Sequence, residues 1–98
     1  MIVEFRAEAF RWDARSDAWF FVAVPADLSA EIREIPRIPR GFGATRVQAT
    51  IGSTTWRTSI FPDAGRGAYV LPLKRAVRDA ERVFEGDEVT VRLEVLDG

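Results

Sequence analysis

YVLPLKRAVRDAERVFEGDEVTVRLEVL, Tyr69 to Leu96, reads as strand, helix, strand. Tyr69 to Leu71 is a short apolar run whose pairing Pro72 limits. From Leu73 to Phe84 the apolar residues Leu73, Val77, Ala80 and Phe84 recur at helical spacing, and Arg75 and Asp79 sit four apart on the solvent side. Gly86 is placed as the helix stop and Asp87 opens the next strand. Val89, Val91, Leu93 and Val95 then alternate with Thr90, Arg92 and Glu94, the pattern of a half-buried strand.

The segment before this unit reads as a hairpin from Thr45 to Phe61. Gly52-Ser53 suits a two-residue type II′ turn, which takes glycine first. That turn sets Ile51 opposite Thr54, Ala49 opposite Trp56 and Val47 opposite Thr58. One face then holds Val47, Ala49, Ile51, Trp56 and Ile60; the other holds Arg46, Gln48, Thr50, Thr55, Arg57 and Ser59. Register and polarity agree, as they must where one face of a sheet is buried.

Toward the N-terminus, Val3, Phe5, Ala7 and Ala9 alternate with Glu4, Arg6 and Glu8 in a further strand. The parity breaks at Phe10-Arg11-Trp12, as at a bulge or a strand end. Asp13 to Asp17 reads as a turn. Ala18 to Val24 is a continuous apolar run, hence a strand covered on both faces, and places Trp19 in the core. Asp27 or Ser29 can cap a short helix with the stripe Leu28, Ile32 and Ile35, stopped by Pro36. Ile35 to Gly43, with two prolines and two glycines, is an irregular loop. The count is about six strands and two short helices, with no repeat and no linker.

Composition narrows the chemistry. At 98 residues the chain suits one domain, residues 1–98, and its 47% hydrophobic and 30% charged residues are those of a globular protein. There is no cysteine, so neither a disulfide framework nor a thiolate metal site exists. There is no histidine, which removes the commonest general base and metal ligand. None of Ser16, Ser29, Ser53 and Ser59 lies in a nucleophile elbow. Glu85, Asp87 and Glu88 cluster, but at a turn, where acids are ordinarily solvated. Gly41-Phe42-Gly43 and Gly65-Arg66-Gly67 lead into strands, not into a helix that could cradle phosphate. A net charge of −1 gives no field drawing the chain to nucleic acid or to an anionic membrane. No cofactor and no metal are expected, the chain leans away from being an enzyme, and its expected setting is the cytoplasm.

What remains is the polar hairpin face. Gln48 lies opposite Arg57 with Arg46 diagonal to it, and two guanidinium groups on one sheet face can grip a carboxylate or phosphate. Lys74, the single lysine, completes the candidate ligand-binding set Arg46, Gln48, Arg57 and Lys74. The competing reading is a solvated face whose arginines pair with acids on a neighbouring strand. Trp12, Trp19 and Trp56 beside arginines would suit single-stranded nucleic acid, but Trp19 and Trp56 read as core and Trp12 as partly exposed.

Gly41-Phe42-Gly43, Arg46-Val47, Ala49-Thr50-Ile51-Gly52, Trp56 to Pro62, Tyr69 to Lys74, Val77-Arg78 and Glu85 to Val89 together resemble a family of small bacterial proteins of unknown function, DUF1905. Its domain occurs alone or fused ahead of a YdeI/OmpD-associated segment, and this chain is similar to the stand-alone form. The resemblance implies a compact β-barrel with helices at its ends, and with the strand count above the expected fold is a small, mostly antiparallel six-stranded β-barrel capped by two short helices. It implies no reaction and no role for Arg46, Trp56, Arg57 or Lys74. The closing unit is also similar, at the level of the fold, to swapped-hairpin transcription-factor barrels, which are dimers that bind DNA. The expectation is therefore a non-enzymatic binding module for a small anionic ligand or a protein partner, monomer or homodimer. A nucleic-acid-binding protein and an enzyme using carboxylate or arginine chemistry are the alternatives.

Overall fold

The computed structural model describes residues 1–12, 19–36 and 43–96. The turn expected at 13–17, and Arg37, Arg40 and Gly41-Phe42 of the irregular loop, lie outside the described residues. The strands are β1 (Ile2–Glu8), β2 (Phe10–Trp12), β3 (Trp19–Ala23), β4 (Thr45–Ile51), β5 (Thr54–Asp63), β6 (Ala68–Leu73) and β7 (Glu88–Val95). The helices are α1 (Ala26–Arg33) and α2 (Arg75–Glu81).

The strands form one antiparallel sheet in the order β1-β7-β4-β5-β6-β3-β2. Its two ends, β1 and β2, are halves of one chain segment separated by Ala9 alone, and this curls the sheet toward a barrel. The expected six strands become seven because the first one divides at this bend. There Ala9 N–H donates to the Asp87 carbonyl at 2.8 Å and Gly86 N–H to the Ala9 carbonyl at 2.8 Å.

Alternation fills the interior. Val47, Ala49 and Ile51 of β4, Ile60 of β5, Val91, Leu93 and Val95 of β7, and Val22 and Leu71 form one buried cluster. The hairpin has the expected register throughout, with Gln48 opposite Arg57 and Ala49 opposite Trp56. Gly52 takes φ +57°, which a glycine adopts without penalty. Trp56 is half-buried against the cluster.

Several local readings are corrected. Neither Asp27 nor Ser29 caps α1; Pro25 holds the N-cap position without a side-chain bond. Ser29 instead lies wholly buried, its hydroxyl donating to the Val24 carbonyl at 3.1 Å and accepting from Tyr69 N–H at 3.0 Å. It thereby fastens α1 to β6. The second helix is shorter than Leu73–Phe84, because Arg82 adopts the left-handed conformation (φ 52°, ψ 50°) and ends it. The chain turns there so that Val83 is buried, while Ala80 is exposed and Phe84 is 68% exposed. Gly86 therefore lies in the following turn, where the Asp87 carboxylate accepts the Phe84 N–H at 2.7 Å. Helix α2 is tied to the β4–β5 turn by Thr54, whose hydroxyl donates to Glu81 at 2.5 Å.

The expected parity break after Ala9 has a different origin. The strand does end there, but the facing is unchanged: Phe10 and Trp12 stay on the outer side with Glu4, Arg6 and Glu8. They are apolar because the outer side itself is apolar at this corner. Phe10, Trp12 and Trp19 surround Phe21 with ring centroids 5.9, 5.6 and 6.4 Å from it. Phe21 is buried by this layer, outside the interior cluster, while its neighbour Val22 belongs to that cluster. So β3 is covered on both faces as its composition demands, but Trp19 is part of the cover. It is 63% exposed, not core.

Candidate functional site

Arg46 comes from β4, Arg57 from β5, and Lys74 from the junction of β6 and α2. The three side chains line one shallow depression of about 390 Å³, together with Ser59 and Phe61. Among the described residues no carboxylate lines it. Arg57 and Lys74 are exposed and have neither an ion pair nor a side-chain hydrogen bond among the described residues. Two uncompensated cations separated in sequence by a strand are thus brought to one place by the β5–β6 pairing.

Gln48, the fourth member of the expected set, does not line the depression. It sits on the outer face of β4 between Arg57 of β5 and Glu94 of β7. Beyond it the face mixes signs, with Arg92 opposite Thr50 on β7 and Glu4 opposite Arg92 on β1. The Thr50 and Thr55 hydroxyls are 2.9 Å apart and hydrogen-bonded. At the far edge Arg6 is ion-paired with Glu88. The hairpin face therefore divides into a mixed-charge, solvated part carrying Gln48 and a cationic margin carrying Arg46 and Arg57.

A second concavity of about 430 Å³ adjoins the first, and Phe61 lines both. Its walls include Trp12, Trp19, Phe21, Phe61, Val70 and Pro72, with Asp63 at one side. Trp12 is 60% exposed. A smaller groove of about 180 Å³ runs beneath Trp19 past Phe20, Leu73 and Arg78 to Lys74. Arg78 lies with its guanidinium carbon 4.1 Å from the Phe20 ring centroid, and Arg66 lies 3.9 Å from that of Phe10. These two cations are held on rings, where a cation–π contact at an exposed site contributes about 0.5–1 kcal/mol. Arg57 and Lys74 are not so held.

The aromatic concavity was not foreseen from the residues. Its signal was present in the even-numbered pair Phe10 and Trp12 and in the unbroken run Trp19 to Val24, which together require a second apolar face. Among the described residues no group of three or more carboxylates is placed to hold a metal ion. No helix among them is long and apolar enough to cross a membrane. Glu85, Asp87 and Glu88 have turn and edge roles, Asp87 on Phe84 N–H and Glu88 on Arg6.

A family model described as a domain of unknown function, DUF1905, matches residues 5–93. The match takes in at least part of every strand of the sheet, all three cations of the depression and the described walls of the aromatic concavity. The chain belongs to that family. No curated protein matches it.

Proposed function

We propose that this DUF1905 chain is a non-enzymatic binding module for a small anionic ligand, a carboxylate or phosphate held by Arg57 and Lys74 with Arg46 at its side. The observation that carries this reading is the convergence of Arg57 and Lys74, with Arg46 beside them, on one depression that no acid among the described residues lines. An arginine presents paired donors that match the two oxygens of a carboxylate or phosphate, and a lysine adds a point charge. Binding is favoured over catalysis because the chain has no histidine and no carboxylate among the described residues lines the depression, so these supply no general base of the common kinds. The reading includes a bacterial, cytoplasmic setting, supported by the cysteine-free composition. It also includes a monomer or homodimer that acts off the membrane.

Both cations are exposed, and exposed ion pairs are each worth only about 0–1 kcal/mol. Inorganic phosphate should therefore bind in the millimolar range at low ionic strength. The affinity should fall as salt shortens the screening length to about 8 Å near physiological strength. The test is titration of the amide resonances with inorganic phosphate and with acetate. Shifts should centre on Arg57, Ser59 and Lys74 and vanish in the Arg57→Ala/Lys74→Ala double variant. Unchanged titration in that variant overturns the proposal.

A further inference from the structure

The two larger concavities are one site in a chemical sense. Phe61 forms part of both, and Lys74 lines both the cationic depression and the groove that runs beneath Trp19. We infer that the ligand is an aryl acid: a small molecule whose planar apolar ring seats against Trp12, Trp19 and Phe61 while its carboxylate or phosphate reaches Arg57 and Lys74. This rests on the reading that those two cations take the anion, and it adds the part of the ligand that confers affinity and selectivity.

First, exposed cations hold a bare anion too weakly for recognition at low concentration. A site built on Arg57 and Lys74 alone would be unselective, so the binding free energy must come from apolar contact nearby. Second, Trp12 and Trp19 keep most of their surface in water although they flank a concavity of about 430 Å³. They are the most exposed large aromatics among the described residues apart from Phe84. Rings that line a concavity offer stacking faces, and aromatic pairs prefer offset or edge-on arrangements at centroid separations of about 4.5–7 Å. The Phe21 cluster already shows that geometry at 5.6 to 6.4 Å, which holds Trp12 and Trp19 on a common support. Third, the charge pattern is one-sided. Among the described residues that wall the aromatic concavity only Asp63 is charged, and it is engaged by Arg66 at 3.6 Å and by Gly65 N–H at 3.0 Å. Arg57 and Lys74 stand at the Phe61 side. A ligand that fills this shape has its negative group at one end.

The experiment uses the full chain and three probes: phenyl phosphate, inorganic phosphate and phenol. Calorimetry should give phenyl phosphate a dissociation constant at least about tenfold lower than either of the others, the gain expected when an aromatic ring is both buried and stacked. Nitrogen–proton spectra report the three indoles separately. Phenyl phosphate should shift the Trp12 and Trp19 indole resonances, with half-buried Trp56 as the unmoved internal control. Trp19→Ala should bring phenyl phosphate down to the level of inorganic phosphate and leave the latter unchanged. The shifts in the native chain serve the same purpose if that variant does not fold.

Phenyl phosphate and inorganic phosphate binding equally, both lost in Arg57→Ala/Lys74→Ala, would overturn this inference and leave the anion site standing. Failure of both phosphates to bind would remove the anion site itself. An oligothymidylate that binds more tightly than phenyl phosphate, with affinity falling steeply with salt, would also overturn it by assigning the same rings to a nucleic acid.

Discussion

Ser29→Ala removes one oxygen from a position with no accessible surface, and its cost can be worked from two bonds. The hydroxyl donates to the Val24 carbonyl and accepts from Tyr69 N–H. Each net bond is worth about 1 kcal/mol, and a buried amide that loses its acceptor adds a desolvation penalty of about 1 kcal/mol or more. Alanine is the better helix former by about 0.5 kcal/mol, which offsets part of the loss. The net destabilisation is about 2 kcal/mol, or a melting temperature lower by about 8–16 °C for a domain of this size. Urea denaturation followed by tryptophan fluorescence is the assay, and the slope with denaturant should be unchanged because the surface exposed on unfolding is the same. Ser53→Ala is the control. That serine is exposed, 3.4 Å from Glu81, and its loss should cost no more than about 0.5 kcal/mol. A Ser29→Ala cost as small as that of the control would refute the claim that this hydroxyl fastens α1 to β6.

Thr45 is fully buried and its hydroxyl has no partner among the described residues, so Thr45→Val should stabilise by about 1 kcal/mol in the same denaturation assay. A loss of stability would show that the hydroxyl is satisfied. Arg82→Gly relieves a side chain in the left-handed region and should gain about 1 kcal/mol, read as a higher denaturation midpoint. Gly52→Ala meets both a φ of +57° and the Glu81 carboxylate, whose oxygen the new carbon would overlap. It should cost about 1–2 kcal/mol for the backbone alone, and only the excess above that should disappear in a Gly52→Ala/Glu81→Ala double variant.

The hairpin and the last strand were legible because period-two alternation and a Gly-Ser turn fix register by local rules, and the Gln48–Arg57 pairing followed from them directly. Convergence of Arg46, Arg57 and Lys74 was legible only as a set of residue types, since it depends on how β6 returns beside β5. The second apolar face was not legible. A continuous apolar run states that both sides are covered but not by what, and Trp19 served as cover where it read as core. The end of α2 was missed for a related reason. Helical spacing continues through Phe84, and what stops the helix is the backbone of Arg82, a residue with no sequence mark of a terminus. Ser29 was misplaced because a serine near a helix start is most often a cap, and here a neighbouring strand uses the same oxygen.

The bend at Ala9 places residues separated by about eighty positions side by side, with Arg6 beside Thr90 and Glu8 beside Glu88. The seam of the sheet is therefore its most non-local pairing. The loop-closure entropy for it is recovered only after β4, β5 and β7 have assembled to receive β1. Until then β7 has an open margin of unpaired N–H and C=O groups available to another chain. A strand that is synthesised early and docks late makes closure of this sheet the step at which folding and self-association compete, so refolding yield should depend on protein concentration far more than the stability of the finished fold does.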